Sequence, residues 1–192
     1  MNVVSIAEAW PAPGGPLTVA ELDRMPDDAR RHEIVAGALV VTLPPGSAHR
    51  TAAFTLASAL GEACPPEWQV IPSPAVMVSS DTEFVPDIVI VGRDQLLAAK
   101  ITKPPLLVVE ACSPGALILD AKKAAYERFG AEFYWMAVPD LDKPEVIVFE
   151  LHGRRYQEAA HVTGEETFAA VRPFRIEVVP SRLVAGLQPR VR

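Results

Sequence analysis

Cysteine is almost missing from this 192-residue chain, with Cys64 and Cys112 its only two. Two thiols so widely spaced build neither a disulfide framework nor a zinc-knuckle pattern, so reduced thiols in a cytoplasmic protein are expected. Basic residues are in deficit, 18 Lys and Arg against 24 Asp and Glu, for a formal net charge of −6. Proteins that coat nucleic acid do so by neutralising phosphates with Lys and Arg, and this balance argues against that class, though not against a local basic groove. No uninterrupted run of 18 apolar residues occurs, so no helix is expected to cross a membrane. The opening "MNVVSIAEAW" has neither the basic start nor the apolar segment of a secretory signal. Also missing are a phosphate-cradling glycine loop, a dinucleotide fingerprint, a His-Glu-x-x-His pair and a Gly-x-Ser-x-Gly frame around Ser113.

Hydrophobic residues make up 49% of the chain, ample for the core of one domain. The stretch "WPAPGGP" reads as a stiff arm, giving an N-terminal arm over 1–16, a domain over 17–187 and a basic tail over 188–192. Thr18 with Glu21 three residues on predicts a capping box and a short helix ending near Pro26. "HEIVAGALVVTL" predicts a hairpin or kinked strand broken at Gly37, and Ser47 is placed to cap an Ala- and Leu-rich helix ending near Cys64. "WQVIPSPAVMVSS" and "FVPDIVIVG" predict two strands, and Ile88–Val91, with no polar alternation, suits a central one. "PPLLVVEAC" is a further strand, "LILDAKKAAYERFG" a helix stopped by Gly130, and "FYWMAV", "EVIVFEL" and "RRYQEAA" three more strands. Phe174–Val179 predicts a last short strand. The order predicts an α/β (α+β) domain with a mixed sheet flanked by helices.

Two acids mark the ends of apolar strands: Asp87 starts one and Glu110 finishes the next. If these strands are antiparallel neighbours, both carboxylates project from the same edge of the sheet. Two unit negative charges ~4 Å apart repel by about 4 kcal/mol at an effective dielectric of 20. Such a pair is tolerable when a cation lies between the acids or one of them keeps a proton. Mg²⁺ typically takes one or two carboxylates, with waters and a substrate phosphate completing its shell, so Asp87 and Glu110 are candidate metal ligands. On the alternating strand, Cys112 shares the face of Glu110, where a basic residue would point at the same ion. The nearest lysines are Lys122 and Lys123. Lys123 has Glu127 as an i+4 partner, whereas Lys122 is in register with Tyr126, so Lys122 is the expected basic group of the site.

"VPDIVIV", "PPLLVVEACSP", "KKAAYERFG" and "FYWMAVPD", in that order, resemble the Uma-two family of predicted endonucleases, within the PD-(D/E)XK nuclease superfamily. "LTVAELDRMPDDARRHEIVAGALVV" and "PPGSAHR" resemble its opening segments, so the likeness runs over about residues 17–187. It implies a restriction-endonuclease-like core and Mg²⁺- (or Mn²⁺-) dependent phosphodiester hydrolysis, with DNA the expected substrate. Asp87 matches the family's PD aspartate, Glu110 its strand-end glutamate, and Glu33 an acidic residue of the opening segment expected near the site. The family lysine lies on the helix rather than the strand, in keeping with Cys112. Between Asp120 and Tyr126 the chain is about two residues shorter than the family pattern: anchoring on Tyr126 selects Lys122, whereas anchoring on Asp120 shifts the match past Lys123 to Ala124.

Blander readings stand beside these. Glu33 can be a surface residue opening a strand; His49, at a helix start, could touch a phosphate but more often makes an ordinary packing or solvent contact; Asp120 can be a helix-start residue, and Tyr126 and Trp135 core or rim aromatics. A non-catalytic nucleic-acid-binding or protein-interaction module on the same scaffold is the rival to a nuclease, and hydrolysis of a smaller phosphoester is a third reading. Duplex cutting usually takes two sites, so a homodimer is expected, with strands at 145–150 and after Gly153 as the candidate interface.

Overall fold

Two β-sheets meet at the acidic rim, and the reason lies in where the chain breaks. The computed structural model describes residues 8–10, 15–25, 30–112 and 117–187. A short strand β1 (Glu8–Trp10) falls within the segment expected to be an arm and pairs with a later strand of the first sheet. Helix α1 (Val19–Leu22) follows Thr18, whose N–H and hydroxyl both donate to Glu21 at 2.8 Å. The hairpin of β2 (Arg31–Val35) and β3 (Ala38–Thr42) turns through Ala36 and Gly37. Their φ values are +48° and +80°, the left-handed pair a tight two-residue hairpin needs. Helix α2 (Ser47–Ala63) starts one residue earlier than the capping prediction allows: Gly46 is the N-cap and Ser47 the first helical residue.

The two strands expected between 68 and 92 are four. They are β4 (Trp68–Pro72), β5 (Val76–Ser79), β6 (Thr82–Phe84) and β7 (Ile88–Gly92). The breaks fall at Ser73, with φ +49° between Pro72 and Pro74, and at Val85–Pro86, where proline withholds a ladder N–H. Each break lets the chain change sheets. β5 and β6 join the first sheet, ordered β1-β3-β2-β6-β5, while β4 and β7 join the second. The second sheet is completed by β8 (Leu107–Ala111), β9 (Phe133–Val138), β10 (Glu145–His152) and β11 (Arg155–Thr163), in the order β11-β10-β9-β8-β7-β4. Its pairs are antiparallel except β8–β9, which run parallel across helix α3 (Leu117–Phe129), as a crossover connection requires. A small sheet of β12 (Phe168–Ala170) and β13 (Ile176–Val178), then helix α4 (Pro180–Leu183), complete the described chain. β12 and α4 had no counterpart in the sequence reading.

The second sheet is covered on both faces. Ala52, Leu56 and Leu60 of α2, at i, i+4 and i+8, pack on Ile88, Ile90, Leu107 and Val109. Val89, Val91 and Val108, alternating to the other face, pack with Ala125 and Tyr126 of α3 and with Tyr134. Trp135 and Tyr126 are fully buried. The sheet is therefore mixed and helix-flanked, as the sequence predicts. No helix among the described residues is long and apolar enough to cross a membrane.

Candidate active site

β7 and β8 are antiparallel, with Ile88 opposite Val109. One further step of that register sets Asp87 opposite Glu110, so the two acids reach one rim of the sheet. Asp87 is fixed through its backbone and its side chain. Its carbonyl accepts the Ser73 N–H at 3.0 Å, and its Oδ2 accepts the Ala111 N–H at 2.8 Å across the strand pair. Glu33 arrives from β2 in the other sheet, where its Oε1 accepts the Val85 N–H at 2.7 Å. That bond ties the first sheet to the segment leading into Asp87. Lys122 comes down from α3, its Nζ donating to Glu33 Oε1 at 2.7 Å and to the Glu110 carboxylate at 3.1 and 3.4 Å. Nζ also lies over the Phe84 ring, 5.5 Å from its centre, a cation–π contact.

Four charged side chains from four separate segments are thus gathered in one buried place. Their exposures are 1% for Glu33, 5% for Asp87, 3% for Glu110 and 4% for Lys122. Buried charge is costly unless paired, so the protonation states follow from who is paired with whom. Burial pushes the Glu110 carboxyl up to about 8; Lys122 pulls it down, and the charges of Asp87 and Glu33 add to the rise. For Asp87, burial is the largest influence and acts upward, yet His49, Arg31 and the Ala111 N–H together hold the carboxyl below its ordinary value. For Lys122, burial acts downward but is outweighed by Glu110 and Glu33, so the ammonium is held more firmly than usual. Burial pushes the Cys112 thiol up to about 12, helped by the charges of Glu110 and Asp87. It is a neutral filler on the face of Glu110 and not a nucleophile.

Among the described residues no group of three or more His, Cys, Asp or Glu side chains is arranged to hold a metal. A site of two carboxylates completed by waters and a substrate phosphate needs no such group, and Asp87 and Glu110 are the pair on this rim that would hold the ion. Burial chiefly, with the charges of Asp87 and Glu33 adding to it, raises the Glu110 carboxyl to about 8, and a bound cation would compete with that proton. The residues fit a two-carboxylate Mg²⁺ or Mn²⁺ site.

The sequence-predicted residues Glu33, Asp87, Glu110 and Lys122 are brought together, and two others join them. His49, at the start of α2, has Nε2 2.8 Å from Asp87 Oδ1, a contact that displaces the packing-or-solvent reading. Arg31 Nη2 donates to the same oxygen at 3.3 Å. The signal for Arg31 was present in the alternation of β2, which sets residues 31 and 33 on one face. Asp120 is exposed and outside the cluster, and Ser113 lies outside the described residues. The Lys123–Glu127 pair expected along α3 is replaced by other contacts. Lys123 Nζ lies 3.9 Å from the centre of the Phe149 ring, and Glu127 accepts from Arg155 at 3.1 Å and from the Tyr156 N–H at 2.6 Å.

The model of the Uma2 family, described as "Putative restriction endonuclease", matches residues 19–182, a span containing the whole buried cluster. No curated protein gives a match. A crystal structure from Anabaena variabilis ATCC 29413, described as "a putative nuclease belonging to DUF820", superposes with a TM-score of 0.72 at 16% identity, covering 90% of this chain and 100% of its own. That likeness establishes the shared fold. From residue 19 to residue 182 the match takes in nearly every element described above, and the chain belongs to the Uma2 family.

Proposed function

We propose that this protein is a Mg²⁺- or Mn²⁺-dependent endonuclease that hydrolyses phosphodiester bonds in DNA. The observation that carries the reading is the convergence of Glu33, Asp87, Glu110 and Lys122 at one rim, each 5% exposed or less. Membership of a family described as "Putative restriction endonuclease" supports it. Asp87 and Glu110 would hold the divalent cation, which would supply Lewis-acid polarisation of the scissile phosphate and a lowered pKa for the attacking water. Asp87 is kept ionised for that task by His49 and Arg31. Lys122 remains an ammonium between Glu33 and Glu110, so it donates hydrogen bonds and does not abstract a proton. Its role is to orient the attacking water and to stabilise charge developing on the phosphate oxygens. Glu33 positions Lys122 and, through the Val85 N–H, the approach to Asp87.

The test is cleavage of DNA by the purified chain with Mg²⁺ or Mn²⁺. Asp87→Asn and Glu110→Gln abolish cleavage while leaving the circular-dichroism spectrum unchanged. Undiminished cleavage by either variant overturns the proposal. One observation favours the rival reading of a non-catalytic binding module: both Glu110 oxygens are already engaged by Lys122. Calorimetric titration separates the two, since the module binds no Mg²⁺ and the nuclease loses Mg²⁺ binding with Asp87→Asn. The homodimer belongs to the duplex-cutting version of the proposal. β10 is paired along both edges, so of the two segments expected at an interface β11 is the one at the sheet margin.

A further inference from the structure

A groove of about 590 Å³ opens beside Asp87 and runs between α2 and β4. Its position is a consequence of the helix register. His49, Arg50, Ala53, Phe54 and Ala57 recur at helical spacing along one side of α2, and Gln69 and Val70 of β4 form the other wall. Three features of this wall are chemical. First, Asp87 is the one acid lining the groove, whereas Arg31 and Arg50 both line it, on a chain whose net charge is −6. Second, Arg50 is oriented: its Nε donates to the Pro45 carbonyl at 2.9 Å, which leaves the terminal nitrogens of the fork available to an anion. Third, Phe54 is 75% exposed on the groove wall. A phenylalanine packed for stability alone sits inside, as Leu56 and Leu60 of the same helix do at 0%. A second groove, lined by Arg30, His32, Pro44 and the acid Glu83, shares Arg31, Pro45 and Ser73 with the first.

We infer that this groove binds an unpaired nucleotide segment of the substrate, with the phosphate on Arg31 and Arg50 and a base stacked on Phe54. The inference rests on the nuclease reading for the identity of the polymer, and it narrows that reading to single-stranded or frayed DNA. Size supports the narrowing. The groove volume falls in the range of small-molecule sites, which suits a nucleotide unit and not a continuous duplex. So does the pairing of chemistries, since cationic tracking of the backbone together with aromatic stacking is the usual way single strands are held without sequence preference. A strand threaded through the groove delivers the next phosphodiester to Asp87 directly. One active site then suffices for a cut, and dimerisation is not required.

The test is binding of a fluorescent twelve-nucleotide single strand, roughly the site size of such grooves, and of its blunt duplex, followed by anisotropy with the full chain in EDTA. Without divalent metal the measurement is independent of cleavage. The single strand is expected to bind about tenfold or more tightly than the duplex. Phe54→Ala is expected to lose about tenfold in affinity for the single strand, in line with a lost stacking contact, while Phe54→Trp retains it. Arg50→Ala is expected to reduce the slope of log K against log salt by about 0.7, the value for one single-strand phosphate contact. Equal or tighter binding of the duplex, or an unchanged affinity for Phe54→Ala with an unchanged melting temperature, overturns the inference even if the protein cuts DNA. Loss of the nuclease reading shows up separately, as cleavage that survives Asp87→Asn.

Discussion

Replacing Glu110 by glutamine is expected to stabilise the metal-free protein, and to do so increasingly as the pH rises from about 4.5 to about 8. The native carboxyl is pushed up to about 8 from an ordinary value of 4.5, chiefly by burial. Between those two values the folded chain holds a proton that the unfolded chain has released. Stability therefore falls as pH rises through this window, and the contribution is fully present below it. Each pH unit crossed is worth about 1.4 kcal/mol, so the full traverse weakens the fold by up to ~5 kcal/mol. The glutamine amide matches the protonated acid in shape and has no proton to lose, so Glu110→Gln removes this loss. Parent and variant should be of similar stability at about pH 5, and the variant should be more stable by about 3–5 kcal/mol at about pH 8.5. Urea unfolding in EDTA, followed through the fluorescence of fully buried Trp135, gives both numbers. Parallel stability–pH curves for parent and variant refute the electrostatic account of the rim.

Three further outcomes follow from the same contacts. His49→Ala removes the first of the groups that offset burial at Asp87, so the Asp87 carboxyl rises and the acid limb of the cleavage profile moves to higher pH; an unmoved limb contradicts the role of His49. Mg²⁺ at about a hundredfold excess over its dissociation constant should add roughly 2.7 kcal/mol to the stability of the parent, and nothing to that of Asp87→Asn, by thermal unfolding. Tyr126→Phe should leave stability unchanged or raise it by about 1 kcal/mol, because the buried Tyr126 hydroxyl has no hydrogen-bond partner. A loss of more than about 1 kcal/mol in urea would show that the hydroxyl is bonded after all.

Much of the site was legible in the sequence because it depends on strand ends, and strand ends are written locally. The apolar run Ile88–Val91 and the run ending at Val109 announce two buried strands, and the acids flanking them stand out against hydrocarbon. Their antiparallel pairing was the one assumption needed, and the register of Ile88 with Val109 supplies it. Lys122 was legible from helix periodicity with Tyr126. His49 and Arg31 were not recognised as partners of Asp87, because their contact joins α2 and the first sheet to the second sheet across sequence separations of 38 and 56 residues. The division of the chain into two sheets was also missed. It depends on proline-bounded corners at Ser73 and Pro86, which look in sequence like irregularities within longer strands. The same corners carry the β2 hairpin, with Glu33, against the Asp87 segment, so the assembly of the rim is a tertiary event that no single stretch encodes.

The central claim is that Asp87 and Glu110 share a divalent cation. Diffraction from crystals soaked in Mn²⁺, recorded at a wavelength where manganese scatters anomalously, tests it most directly. The account predicts an anomalous peak within coordination distance of both carboxylates, displacing Lys122 from Glu110 by charge competition and vanishing in crystals of Asp87→Asn. A peak elsewhere, or none at this rim in well-occupied soaks, contradicts it.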